Sequence, residues 1–178
     1  METGAAFLAQ SREYLTAHYL PRIADAIDRV AEDELWWRPN DASNSIGNLI
    51  LHLVGNIRQW IVSGVGGAPD TRDRASEFAR REPLTRDELL AMLTEAVLEA
   101  DAVIARTDPA ELNERRQVQG RSVTVLQAIY HVVEHFAMHT GQILYVAKQR
   151  TGADLRHYTM EAGIPRPAWP GHPVSGSA

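Results

Sequence analysis

Residues 131–142 read HVVEHFAMHTGQ, and the conformation assigned to this stretch decides the fold. As a helix it stacks His131, His135 and His139 on one side, because residues four apart are neighbours with Cβ atoms about 5–6 Å apart. Ile129, Val132, Phe136 and Ile143 border the row on one flank, and Val133, Ala137 and Leu144 on the other, so the row faces inward. The helix starts near Ser122 to Thr124 and runs to about Arg150, with Gly152 as its C-terminal stop.

Three more segments carry helical periodicity. The first runs from about Ala5 to about Glu32, with Phe7, Tyr14, Leu15, Tyr19, Ile23, Ile27 and Val30 recurring at threes and fours. Pro21 lies inside it and is expected to kink or split it, since proline removes a helical donor. The loop WWRPNDASNS ends at Ser43 or Ser45 as the cap of a second helix, roughly Ile46 to Ser63, which stops at GVGG. That helix is apolar nearly all round, which predicts a central position. The third opens with the capping box Thr85-x-x-Glu88, buries Leu89, Leu93, Val97, Ala100 and Ile104, and ends at Asp108-Pro109. QVQGRSVTV is the one strand candidate, and it is short.

The expectation is therefore an all-α protein, a four-helix bundle. It forms one domain over 1–162, followed by a Pro/Gly-rich tail over 163–178 that lies extended on the surface or is disordered. Two connections are long, GVGGAPDTRDRASEFARREPL and DPAELNERRQVQGR, and loops of that length are either functional lids or mobile.

Composition narrows the function. The 178 residues carry a formal charge of -5, from 18 basic and 23 acidic side chains, whereas a nucleic-acid partner demands a basic stripe. There is no cysteine, so a metal site has only His, Asp and Glu to draw on. The N-terminus METGAAFLAQSREYL lacks a secretory pattern. The longest apolar stretch, SIGNLILHLVGNI, is too short and polar to span a bilayer. A cytoplasmic protein acting on a small molecule, with neither nucleic acid nor membrane as partner, is expected.

Chemistry concentrates in the histidine row. Successive members drift by about 40°, so one adjacent pair chelates an ion well and all three do not. Asn48, His52 and Asn56 form a matching polar line on the second helix, among aliphatic neighbours and glycines. A buried polar group without a partner costs about 1–3 kcal/mol, so the two lines should satisfy each other. A metal held between facing helices is one way; a dry histidine network is the other. Spacing alone leaves His131 with His135 and His135 with His139 as equal pairs. HVVEH (131–135) also matches the short H-x-x-E-H pattern of certain metallopeptidases, with Glu134 as general base. No downstream carboxylate helix supplies a third ligand for it. Trp36, Trp37 and Trp60 either line a pocket mouth or close the ends of a core. Arg72, Asp73 and Arg74 either meet a charged substrate or are solvated loop residues, and solvation is the simpler account.

LWWRP, SNSIGNLILHLVGNIRQW and the closing His135-x-x-x-His139-Thr140-Gly141-Gln142-Ile143 resemble the DinB/YfiT-like superfamily, including the GGAPDTRDRASEF loop of one uncharacterised branch. The resemblance implies a four-helix bundle with a divalent metal held by three histidines, which here are His52, His135 and His139. It leaves His131 as a wall of the site. Its characterised members include thiol-dependent isomerases and S-transferases, so a low-molecular-weight thiol joins zinc, nickel or iron as an expected cofactor. Asn48, Asn56, His131 and Glu134 are candidates for orienting the ligands. The expected activities are thiol-dependent S-transfer or hydrolysis of a small molecule. The alternative is a non-catalytic bundle, metal-stabilised or a homodimer that binds.

Overall fold

The computed structural model describes residues 3–81 and 83–171. The chain is mostly helical. Its first rod comprises α1 (Thr3–Glu13), a π-helical stretch (Tyr14–Tyr19) and α2 (Leu20–Asp28). Pro21 sits in the first turn of α2, and the preceding backbone widens into the π stretch, so the rod is divided into three helical pieces just before the proline. The reason is local. Proline at position 21 cannot donate to the Ala17 carbonyl four residues back, and a wider turn accommodates the missing bond. The freed Ala17 oxygen accepts instead from Trp169 Nε1 at 2.9 Å.

The second rod is α3 (Ile46–Ile57) with a second π stretch (Arg58–Ser63). Of the two candidate caps, Ser45 takes the role: its hydroxyl accepts from Asn48 N, and the Asn48 side chain reaches back to the Ser45 backbone. Every α3 residue but Gly55 is buried, as its uniformly apolar sequence requires. A short helix, α4 (Arg74–Ala79), interrupts the first long connection, capped by Asp73. The α5 helix (Arg86–Arg106) starts at the Thr85–Glu88 capping box and buries Leu89, Leu93, Val97, Ala100 and Ile104. The longest helix, α6 (Val125–Thr151), ends on Gly152 in the left-handed region at φ 63°. The α3 helix packs against α4, α5 and α6, and α2 packs against α5 and α6. Leu15, Ile23, Ile27, Ile50, Leu53, Leu89 and Phe136 form the fully buried centre.

The all-α expectation is corrected at two places. β1 (Arg115–Val118) and β2 (Arg121–Thr124) form an antiparallel hairpin that overlaps QVQGRSVTV and begins two residues before it, and β3 (Tyr158–Glu161) pairs with β4 (Ile164–Pro167). Each turns on two residues with positive φ, Gln119–Gly120 (51° and 71°) and Ala162–Gly163 (50° and 82°). Positive φ at both central positions is the mirror-image turn whose twist matches paired strands. The second hairpin spans position 163, where the Pro/Gly-rich tail begins, and Trp169 beyond it is buried. Residues 172–178 of that tail lie outside the described residues. Among the described residues no helix is long and apolar enough to cross a membrane.

Candidate metal centre

α3 and α6 bring three imidazoles together. His52 from α3 and His135 and His139 from α6 each offer a ring nitrogen, and these atoms lie within 4.8 Å of one another. His52 Nε2 faces His135 Nε2 at 2.8 Å. The His139 ring stands edge-on to both, with centroids 5.1 Å from His52 and 4.4 Å from His135. His52 and His139 are buried and His135 is half-buried.

What holds each ring decides which nitrogen is available. His139 Nδ1 lies 2.6 Å from Gln142 Oε1. An amide oxygen only accepts, so Nδ1 carries the proton and Nε2 keeps its lone pair. That Nε2 is buried without a hydrogen-bond partner. Burial, reinforced by the neighbouring imidazoles and Arg72, pushes His135 down to about 3. Burial likewise lowers His139, outweighing the bond to Gln142. Neutral imidazoles crowded together, one with an orphaned lone pair, suit a divalent cation. These three side chains could hold a metal ion.

His52 Nδ1 meets Glu77 Oε2 at 2.8 Å. Glu77 stands on α4, and Arg72 clamps it through Nε to Oε1 at 2.6 Å and Nη2 to Oε2 at 2.9 Å. Burial would raise the Glu77 carboxyl, yet the bonds from Arg72 and His52 hold it below the usual carboxylate range. The RDRASEF segment, expected to be solvated, thus contributes a buried ion pair, with the Arg72 side chain 4% and that of Glu77 8% exposed. Gly55 admits it: a Cβ there would overlap Glu77 Oε1 and come within 2.9 Å of Arg72 Nε. A glycine inside an otherwise aliphatic helix is the signal that marks this close approach in the sequence.

Asn48 donates to the backbone carbonyls of Glu77 (2.9 Å) and Arg80 (3.3 Å), anchoring α4 to α3. Asn56 Nδ2 lies 3.3 Å from His131 Nε2. The His131 ring packs on Trp60 with centroids 4.1 Å apart, and it lies 5.3 Å from the His135 ring. His131 therefore stands beside the three. Asn56 Oδ1 and Trp60 Nε1 are buried without hydrogen-bond partners. Glu134 is exposed. Trp36 donates to the Leu84 carbonyl and covers Gly47, while Trp37 carries the Arg150 guanidinium over its ring. Asp73 caps α4 and Arg74 lies over Phe78.

A cavity of about 620 Å³ opens between α3, α5 and the 69–80 segment, lined by Leu51, Val54, Arg58, Arg72, Glu77 and Met92 among others. Two of its lining residues, Arg72 and Glu77, are the polar neighbours of His52 Nδ1. A smaller one of about 360 Å³ is lined by Trp37, Leu49, Gln142 and Tyr145 among others.

A mostly helical chain with three converging imidazoles defines the class. The chain belongs to the DinB-like family described as protein of unknown function (DUF1572), whose profile matches residues 2–164. Among solved structures it is similar to a DinB-like protein, YjoA, from Bacillus subtilis. The two share 16% identity with a TM-score of 0.61, over 82% of this chain and 93% of that one. No curated protein matches this chain.

Proposed function

We propose that this chain is a divalent-metal-dependent enzyme acting on a small molecule. It is read as one four-helix-bundle domain over 1–162, with His52, His135 and His139 as the metal ligands. The observation that carries this reading is the buried, partnerless Nε2 of His139, set beside the facing Nε2 atoms of His52 and His135. A dry histidine network would leave that nitrogen unsatisfied, at a cost of about 1–3 kcal/mol. Three imidazole ligands leave coordination positions open, as catalytic rather than closed structural sites do.

A divalent ion there would supply Lewis acidity, lowering the pKa of a water or thiol or polarising a carbonyl. The protein's own groups do the rest. Gln142 holds His139 by its Nδ1, and His131, backed by Trp60 and Asn56, walls the site one helical turn from His135. Thiol-dependent S-transfer and hydrolysis both use such a centre, and zinc, nickel and iron all accept imidazole.

The second reading is a non-catalytic bundle, metal-stabilised or a homodimer that binds. Leu126, Tyr130, Met138 and Tyr145 are exposed on α6, an apolar face of the kind that pairs. Scattering in solution separates monomer from dimer.

The test is elemental analysis of the purified, untagged chain beside His52→Ala and His139→Ala. Near-stoichiometric metal in the parent, lost in both variants, is the expected result. An absence of metal after reconstitution with zinc, nickel and iron overturns the enzyme reading.

A further inference from the structure

We infer that Glu77, clamped by Arg72 against Gly55, is a positioning residue that fixes which nitrogen of His52 carries the proton. The inference rests on the reading of His52 as a metal ligand for its consequence, though not for its geometry. His52 Nδ1 has two polar neighbours, Glu77 Oε2 at 2.8 Å and Arg72 Nη2 at 3.1 Å. They make opposite demands. An ionised carboxylate only accepts and calls for Nδ1–H, whereas a guanidinium only donates and calls for a bare Nδ1.

The carboxylate wins while it is in place. Arg72 directs Nε and one Nη2 hydrogen at the two Glu77 oxygens and Nη1 at Gln59 Oε1 at 2.9 Å, and although Nη2 keeps a second hydrogen, an ionised carboxylate is the stronger partner for the His52 ring. The Arg72–His52 contact is then two donors sharing one acceptor. With the proton on Nδ1, His52 Nε2 presents its lone pair towards His135. Three separate features keep Glu77 there: the Arg72 fork, the missing side chain of Gly55, and Asn48, which holds the Glu77 carbonyl.

Glu77 removed, Arg72 is the remaining polar neighbour of Nδ1. Its N–H then donates to that nitrogen and drives the proton to Nε2, the atom that faces the site. The same clamp thus becomes an inhibitor of metal binding. A merely structural glutamate has no such consequence.

The test uses the full chain as Glu77→Ala and as the double variant Arg72→Met/Glu77→Ala. Two readouts are taken: the His52 tautomer by long-range ¹⁵N–¹H correlation in the metal-free protein, and zinc affinity by chelator competition. The parent is expected to show His52 protonated at Nδ1. Glu77→Ala should shift the proton to Nε2 and weaken zinc about 10–100-fold, the usual cost of losing an outer partner of a ligating histidine. The double variant, freed of the misdirecting donor, should recover part of that loss and show mixed tautomers.

Nε2–H in the parent overturns the inference. So does Glu77→Ala with an unchanged tautomer and zinc affinity within twofold. Should the unpaired Arg72 prevent Glu77→Ala from folding, the double variant decides alone: an undiminished Nδ1–H preference there overturns the inference, and its loss supports it. A parent that binds no zinc defeats the metal reading separately, and the tautomer still answers for Glu77.

Discussion

At Gly55 one hydrogen atom in place of a methyl group lets a carboxylate reach His52. A Cβ at this position would overlap Glu77 Oε1 and crowd Arg72 Nε, and both partners are fixed by each other rather than free to swing away. Overpacking of this kind costs about 1–3 kcal/mol. Gly55→Ala should therefore lower stability despite alanine's better helix propensity, worth about 1 kcal/mol in its favour at an exposed site. Urea denaturation checks the sign, and a stabilised variant would show that Glu77 does not need this gap. A second residue-scale device lies far from the histidines. Asp25 accepts from Arg29 at 2.8 Å and pairs with His157 at 2.8 Å, while Arg22 and Arg29 also act on His157. Burial raises the Asp25 carboxyl, but its bonds to Arg29 and His157 hold it below the ordinary range; burial lowers His157 in spite of Asp25. In both cases the unfolded chain binds protons more readily than the folded one. Stability therefore falls as pH drops from about 6.5 through His157, and again below about 4 through Asp25. Asp25→Asn should lower the urea midpoint at pH 7 and shrink the difference between pH 7 and pH 3. An undiminished difference would remove Asp25 from the acid response.

Among the elements, the first rod and the C-terminal hairpin depend on each other. Pro21 frees the Ala17 carbonyl, and Trp169, carried in by the segment after β4, supplies the missing donor while stacking against Arg22. Trp169→Phe keeps a large ring and deletes the N–H. It should cost about 1–3 kcal/mol, the penalty of a buried acceptor left unsatisfied, read as a lower midpoint in chemical denaturation. A neutral result would mean that water reaches Ala17. The major helices were legible because their apolar stripes and caps are local signals: Thr85 with Glu88, Gly152, and the Leu89–Ile104 ladder need no knowledge of the rest of the chain. The hairpins were harder to read. Their strands are four residues each, too short for alternation to register, and only the Gln-Gly and Ala-Gly turns betray them. The π stretches were illegible, since they answer a lost bond at Pro21 in one case and leave no comparable mark at Arg58–Ser63. At the candidate site, His52 and the row His131, His135 and His139 were legible as polar residues in apolar helices, while the choice of His135 and His139 over His131 came from the family resemblance. Glu77 and Arg72 were not, because an acid and a base within a charged loop look solvated until α4 folds back onto Gly55.

For the whole molecule, the histidines join elements that are distant in sequence. His52 lies on α3 and His135 on α6, 83 residues apart, and α4 closes over the same point through Glu77. A ligand that binds such a junction exists as a site only in the folded chain. Binding then adds RT ln(1 + [L]/Kd) to stability, about 2.7 kcal/mol when free zinc is a hundred times its dissociation constant. For a chain of this length each kcal/mol moves the melting temperature by about 2–4 °C, so saturation should raise Tm by roughly 5–11 °C. His139→Ala should respond differently in the two states. Without metal it loses a nitrogen that has no partner, so its Tm should stay near that of the metal-free parent. With zinc the parent should rise and the variant should not. Differential scanning calorimetry of both proteins, with chelator and with zinc, makes the comparison. Equal zinc-induced shifts in the two would place the binding elsewhere, and an unstable metal-free His139→Ala would show that the imidazole itself is part of the core.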